Sequence, residues 1–512
     1  MRTSPKIVLT ADETMMSQYR GGMGTGFMTC MPSGIIPEWL FFPIFCPPVP
    51  REAGRAQCSD FGLRMIEAAL LSDGFTREEV AVVHPRDLKK VVGPDTRICG
   101  ISGHDLLGIN PPTSTFVDFT RRGPPFNRIK FYELLGDKNL KDLKIVVGGK
   151  SAWQVADPAI MDKLGIDYVH LGEGEATVPG MFHSILNGED VPRIVKGEDV
   201  PVDRIPNLRG ATIHGLVEIS RGCGRGCAFC TPGMQKVRHK SLDHIEKDIR
   251  TEVASGCNDI ILHSEDVLRY GTIRIEADEQ KVIDLMTRAA SVDGVRGLGF
   301  SHLALASAYH HPKLVERVSE IGLALPGMKF MGAQTGLETG SARLMKIHMH
   351  GKTLPSPSEK WRELVVQSLG LLKDNHWILS STLVIGLPGE TEDDVVQTSE
   401  MMDDIRDTPT FIVPLCFVSM AGAQLSEAES FTVEKMTPAH WVLFGQCLQH
   451  DIDLGRNLKE QILPGNPIFR VIGGAFLNRL LKGAEKYSKV MLQGQPPREY
   501  TLDEENYRNP GL

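Results

Sequence analysis

Short apolar runs alternate along this chain with longer stretches of helical spacing. Lys6-Ile-Val-Leu-Thr10 is the first run, and residues 80–83, 96–101, 144–149 and 167–171 follow. Uninterrupted apolar runs of this length suit strands covered on both faces, as in a parallel sheet. Residues 61–71 carry helical spacing between two of them. Strands alternating with helices predict an open, doubly wound (Rossmann-like) α/β sheet. Such sheets bind ligands beyond the carboxyl ends of their strands. Three glycine-rich loops fall at that edge: Ser102-Gly-His-Asp-Leu-Leu-Gly108, Gly148-Gly-Lys150 and Gly172-Glu-Gly-Glu175. Their candidate ligand-binding residues are Ser102, His104, Asp105, Gly148, Gly149, Lys150, Gly172, Glu173, Gly174 and Glu175.

Residues 185–212 are rich in turn and breaker residues and read as a linker. Alternation then resumes. Strands are expected at 215–219, 259–262, 298–302, 329–334, 378–385 and 410–417, with helices at 243–255, 283–290, 314–321, 361–374 and 395–404. About six βα units predict a partial (β/α)6 barrel, whose active site would lie at the carboxyl ends of its strands. Two stretches break the rhythm. Residues 20–48 hold too many glycines and prolines for a long helix, yet are too apolar for a solvated linker. They pack either on their own domain or against a large flat ligand. Residues 425–512 carry no catalytic motif. Helix is expected in the second half of 469–481, before a polar tail, and the region reads as a cap shaping substrate access.

A chain of 512 residues is too long for one core. The expected division is 1–200, 201–424 and 425–512. Apolar residues make up 41% and charged residues 23%, which excludes a disordered chain. The net charge of −8 excludes a basic nucleic-acid footprint. No apolar run approaches the ~20 residues that cross a bilayer, and the first residues lack a signal-peptide core. The expectation is a cytoplasmic enzyme with no nucleic-acid or membrane partner, its ten cysteines free or metal-bound.

Chemistry concentrates in Arg221-Gly-Cys-Gly-Arg-Gly-Cys-Ala-Phe-Cys-Thr-Pro-Gly233. Cys223, Cys227 and Cys230 stand in CxxxCxxC spacing. Three thiolates on one glycine-rich loop can hold three irons of a [4Fe–4S] cluster and leave the fourth open to a ligand. Structural zinc is the competing reading. It needs a second ligand half, and none is visible, since neither His239 nor His348-Met-His350 has compact ligand spacing.

The CxxxCxxC loop resembles the cluster motif of radical S-adenosylmethionine (SAM) enzymes. With the strand end IVVGG and the GEGE turn before it, residues 80–420 resemble the cobalamin-dependent radical SAM methyltransferases. The resemblance implies a cobalamin-binding domain before the barrel and three cofactors: a [4Fe–4S] cluster, SAM and cobalamin. It implies that Phe229, Ser264, Glu265, Asp266, Ser301, His302, Gln334, Glu338, Ile385 and Gly386 surround SAM and the cluster. It also implies the reaction: one SAM methylates cobalamin, and a second yields a 5′-deoxyadenosyl radical that activates an sp3 carbon to take that methyl. One departure is the missing DxHxxG motif that supplies a cobalt-binding histidine in other cobalamin proteins. Asp374-Asn-His376 has its spacing but lacks the glycine and lies in the barrel half. The resemblance therefore implies cobalamin held without a histidine ligand, and His104, the only histidine on a candidate ligand loop, reads as a hydrogen-bonder of that loop and not as an axial ligand.

More narrowly, YRGGMGTGFMTC (19–30), SEDVLRYG (264–271) and the stretch GAQTGLETGSARLMKIHMHGK (332–352) resemble the archaeal glutamine C-methyltransferases. That implies a protein substrate, methyl-coenzyme M reductase, and a one-electron donor. Two other readings compete. Methylthiotransferases add a second cluster on three cysteines of the first domain, for which Cys30, Cys46, Cys58 and Cys99 are available. A non-enzymatic cobalamin carrier would leave the cysteine triad without a role.

Overall fold

The computed structural model describes residues 4–19, 23–458 and 467–498. Its first layer is a six-stranded, all-parallel sheet of β1 (Ile7–Ala11), β2 (Val80–Val82), β3 (Ile98–Ser102), β4 (Lys144–Gly148), β5 (Tyr168–Leu171) and β6 (Ile194–Lys196). The spatial order is β2-β1-β3-β4-β5-β6. The chain therefore leaves β1 toward one side and returns on the other. The crevice between the ends of β1 and β3 is the topological switch point, where ligands of such sheets bind. Helices α1 (Phe61–Ser72), α2 (Pro111–Thr120), α3 (Phe126–Leu135) and α4 (Val178–Asn187) are among those beside it. Covered on both faces, β1 through β3 bury every residue, which explains their continuous apolar runs.

One expectation needs correction. The stretch read as linker contains β6, which pairs in parallel with β5 from Val169↔Ile194 to Leu171↔Lys196. An edge strand needs only one neighbour, and this one is half-buried or exposed along its length. Its apolar signal is weak for that reason. Part of the stretch 23–48 packs on its own domain, while Trp39, Leu40 and Ile44 stay exposed. Phe41 and Phe42 of the helix Glu38–Phe45 surround Phe126, with ring centroids 4.0 and 5.7 Å away. Arg20, Gly21 and Gly22 of the glycine-rich motif lie outside the described residues.

The second layer is a run of six parallel strands in sequence order: β7 (Leu216–Glu218), β8 (Asp259–His263), β9 (Gly297–Phe300), β10 (Met331–Glu338), β11 (Trp377–Ile385) and β12 (Thr410–Cys416). The two triplets join through Gln334, whose amide donates to Ser301 O at 2.8 Å while its carbonyl accepts from Leu303 N at 3.0 Å. Helices α5 (Leu242–Ala254), α6 (Glu279–Ala290), α7 (Pro312–Leu323), α8 (Trp361–Asp374) and α9 (Glu392–Asp404) connect them. This is the partial (β/α)6 barrel.

Then α10 (Pro438–Asn457) packs against β12, α9 and α11 (Pro467–Met491). Helix α11 is regular from Pro467, so helix extends through all of 469–481. Phe119 of α2 meets Trp441 and Phe444 of α10 at 5.5 and 4.6 Å. Cys416 N also donates to Thr115 Oγ1 at 2.9 Å. The C-terminal helices thus touch both layers. The polar tail lies outside the described residues. Among the described residues, no helix is long and apolar enough to cross a membrane.

Candidate active site

The loop after β7 carries the cysteine triad. Gly222, Gly224 and Gly226 all have positive φ, +76°, +68° and +72°. At Gly222 a Cβ would lie 2.5 Å from Lys236 O, so no other residue fits that turn. Cys223 N donates to Pro232 O and Gly226 N to Gly233 O, each at 2.9 Å. These bonds close the loop into a cradle. Cys227 is buried, and Cys223 and Cys230 are half-buried. Burial pushes the Cys227 thiol up to about 11 and Cys230 up to about 12. Iron must therefore displace protons on binding. Phe229 packs beside them against the barrel core.

The barrel's strand ends sort the predicted cofactor residues in two. Several side chains are already occupied. Asp266 accepts from Arg225 Nη2 at 2.8 Å, Ser307 Oγ at 2.7 Å and Ala304 N at 3.2 Å. It clamps the cluster loop rather than awaiting a ligand. Ser264 bonds Ser220 Oγ at 2.7 Å, and Ser301 Oγ donates to Ser264 O at 2.9 Å. Both serines lace strand ends together. Ile385 is buried in the core, and Gly386 lies under the Phe431 ring, where a Cβ would come within 1.9 Å of Cγ. The flat apolar surface at that strand end is Phe431, which the sequence did not single out. Glu338, with φ +60°, curls back onto Lys352 at 2.5 Å.

Other groups stay open. Glu265 makes no hydrogen bond and is half-buried. Burial works against its charge, but His302, Lys150, His263 and Lys352 outweigh it and hold its pKa below the ordinary value. His263 and His302 face each other at 6.3 Å, and each has a buried Nδ1 without a partner. Burial drives the His263 pKa down to about 4. Gln334 also keeps its side-chain amide free. Lys352 and His263 were not among the predicted residues. No local motif marks Lys352, which the fold brings beside Cys227 and Glu338. His348 is no metal ligand here, since its Nε2 meets Pro388 O at 2.8 Å.

The edge of the first sheet divides similarly. Asp105 accepts from Ile109 N, Asn110 N, Thr113 Oγ1 and Gln154 Nε2 at 2.5–3.1 Å, so it organises its own loop. Gly149 has φ +92°, and a Cβ there would lie 2.7 Å from Gly103 O. The loops after β3 and β4 touch because of it. Gly172 has φ +83° and lies against Gly197 O, and a Cβ on Gly174 would meet Ile66. Glu173 and Glu175 form ion pairs with Arg221, at 2.9 and 2.5 Å, and Arg238 also binds Glu173. The GEGE turn is thus a latch onto the cluster loop, and its carboxylates are not free for a cofactor.

His104, Ser102 and Lys150 remain. His104 Nε2 meets Asp60 Oδ1 at 3.0 Å, and Ser102 Oγ donates to Asp60 Oδ2 at 3.3 Å. The His104 side chain is 57% exposed. Lys150 is exposed and acts electrostatically on His104 and, across the gap, on His263, Glu265 and His302. The Arg221 ion pairs bring the GEGE turn at the carboxyl edge of the first sheet beside the loop that carries the cysteine triad.

Cys46, Cys58 and Cys99 of the first layer do not converge. Cys99 lies in the core on one face of the sheet, Cys58 packs against the core on the other, and Cys46 sits in the aromatic cluster around Phe126.

The layered α/β sheet thus lies against a partial barrel that carries the cysteine triad. Residues 217–402 match the family model described as the radical SAM superfamily. That superfamily holds a [4Fe–4S] cluster and SAM, and the cradle's three thiolates and unpaired Glu265 fit those groups. The curated relatives include tRNA-2-methylthio-N(6)-dimethylallyladenosine synthase of Hahella chejuensis, 26% identical over 55% of this chain. They also include ribosomal protein uS12 methylthiotransferase RimO of Thermotoga maritima, 26% identical over 38% of this chain and 42% of that protein. The match spans 60% of the length of the first relative. Among solved structures, the radical SAM methyltransferase TsrM from Kitasatospora setae, with cobalamin and a [4Fe–4S] cluster bound, aligns with a TM-score of 0.55. That alignment has 14% identity and covers 82% of this chain and 74% of that one. The shared fold includes both layers.

Proposed function

We propose that this chain is a cobalamin-dependent radical SAM methyltransferase acting on an unactivated sp3 carbon. The observation that carries the reading is the latch by which Arg221, one glycine before the cysteine triad, pairs with Glu173 and Glu175 of the first sheet at 2.9 and 2.5 Å, holding that sheet's carboxyl edge beside the cradle. Cys223, Cys227 and Cys230 would hold the cluster. Glu265, the unpaired carboxylate nearest them, would accept from the ammonium of SAM. The loops at Ser102–His104 and Gly148–Lys150 form the wall against which a corrin would lie. When bound, cobalamin supplies a transferable methyl group, and SAM cleaved at the cluster supplies the radical that opens the C–H bond. The protein's part is to hold both faces in line and keep water out.

The methyl acceptor under this reading is a carbon of a protein glutamine, in methyl-coenzyme M reductase. Support comes from the resemblance of residues 19–30, 264–271 and 332–352 to glutamine C-methyltransferases. A one-electron donor is required. Anaerobic reconstitution with iron, sulfide and cobalamin, followed by incubation with SAM, a reductant and the substrate peptide, should yield a mass gain of one methyl. A gain of a methylthio group would overturn the reading.

Methylthiotransfer is the second reading, favoured by the names of the sequence relatives. The separation of Cys46, Cys58 and Cys99 into different packing layers speaks against a second cradle. Iron and cobalt counting separates the two: one cluster and bound corrinoid, or two clusters and none.

A further inference from the structure

Buried cations beside the cysteine cradle mostly have their own carboxylates. Arg225 pairs with Asp266 at 2.8 Å, Lys352 with Glu338 at 2.5 Å, and Arg221 with Glu218 and Glu175 at 2.9 and 2.5 Å. Arg269 does not. It is 3% exposed, yet among the described residues it forms no ion pair. It ends the short turn Val267–Arg269 after β8, which is tied down by Val267 N donating to His302 O at 3.2 Å and Arg269 N to Asp266 O at 3.1 Å. Next to it, the Tyr270 hydroxyl donates to Lys240 O at 2.7 Å. The guanidinium donates through Nη1 to Cys223 O at 3.2 Å and through Nε to Arg274 O at 3.0 Å. Two carbonyls therefore fix its orientation, and one of them belongs to the first cysteine of the triad. Carbonyl dipoles do not neutralise a full charge, and an arginine keeps its charge at any pH the protein meets. A buried charge without an opposite partner is costly. The site thus calls for an anion that the described residues do not supply. The contact joins residues 46 positions apart, so no motif of the loop announces it.

Resting on the assignment of a [4Fe–4S] cluster to Cys223, Cys227 and Cys230, we propose that Arg269 is the fixed counter-charge of the cradle. Its buried guanidinium holds the Cys223 end of the loop and favours the reduced, more negative state of the cluster, which raises the reduction potential. Three thiolates make a bound cluster anionic, and net charge is one of the determinants of its potential. Uptake of one electron from a one-electron donor adds one negative charge, and no bond in the protein forms or breaks. Arg269 is a positioning residue in this role, since it acts through Cys223 and touches no reacting atom. The alternative, a brace that only ties the loop to the turn after β8, needs the hydrogen bonds and not the charge.

Redox titration of the anaerobically reconstituted full-length protein, with the reduced cluster counted by electron paramagnetic resonance, separates the two. Arg269→Gln can still donate to Cys223 O but carries no charge, whereas Arg269→Lys keeps the charge. At a fixed applied potential the ratio of reduced to oxidised cluster should fall by roughly tenfold or more in Arg269→Gln, the scale of one buried charge removed at short range. Arg269→Lys should stay near the wild type. An Arg269→Gln cluster that reduces at the wild-type potential overturns the proposal and leaves the cluster assignment intact. So does an equal shift in Arg269→Lys. Should Arg269→Gln take up no iron, the melting temperatures of the iron-free proteins decide. Relief of an unpaired buried cation should leave Arg269→Gln at or above the wild type, and a lower value overturns the proposal in favour of the brace. A wild type that takes up no iron and sulfide overturns both the proposal and the cluster assignment.

Discussion

Glu265 and Asp266 are neighbours in sequence with opposite fates. Asp266 faces Arg225 in a nearly dry pocket, the two side chains 4% and 3% exposed. Removing one partner leaves a buried charge alone, at a cost of about 3–5 kcal/mol. Asp266→Asn should lower the melting temperature and leave a smaller fraction of chains holding iron after reconstitution. Unchanged iron content would mean that the clamp does not hold the cluster loop. Glu265 has no hydrogen bond to lose. Glu265→Gln should fold normally yet weaken SAM binding by roughly tenfold or more, the scale of one charge-assisted hydrogen bond. Calorimetric titration with SAM measures this, and an unchanged Kd removes Glu265 from the cofactor site. The cysteine triad was legible because its chemistry is local, three ligands on one short loop. The choice between adjacent carboxylates was not, because Arg225 decides it through a tertiary contact.

Most elements could be read from apolar runs, since a strand covered on both faces has to be apolar throughout. β6 escaped because an edge strand is covered less. Docking of the elements onto one another was not legible. Half-buried Asp451 of α10 accepts from Ile412 N of β12 at 2.7 Å, and desolvation raises its pKa from 3.8 to about 8. Between those values the folded state keeps a proton that the unfolded chain has released. Stability from this group is therefore greatest below 3.8 and declines as pH rises toward about 8, above which it changes no further. Denaturant titrations should show a flatter pH dependence across that window for Asp451→Asn than for the wild type. An identical slope would mean that Asp451 titrates normally.

Across the whole molecule, Arg221 is the hinge pin between the layers. It stands one glycine before the cradle and meets Glu218 within the barrel, at 2.9 Å, and Glu173 and Glu175 of the first sheet. These partners hold its pKa above the ordinary value despite burial. Under the proposed function, Arg221→Ala should leave the cluster in place and SAM cleavage measurable. Methyl transfer should fall by up to about 100-fold, the penalty for reacting groups displaced by an ångström or so. Deoxyadenosine and methylated product, quantified in the same reaction, give the ratio. Equal losses in both would mean that Arg221 serves the cradle alone.

By itself the sequence determined the two alternating βα series, the three-cysteine loop and the set of glycine-rich loops at one sheet edge. Those features follow from periodicity and from residue types adjacent along the chain. Only the tertiary structure decided which polar side chains remain free. The GEGE carboxylates, Asp105 and Asp266 are consumed by arginines, amides and hydroxyls brought from elsewhere, while Glu265 and the Nδ1 atoms of His263 and His302 are left open. The physical reason is that a buried polar group must find a partner, and the partners are distributed by the fold and not by neighbours in sequence.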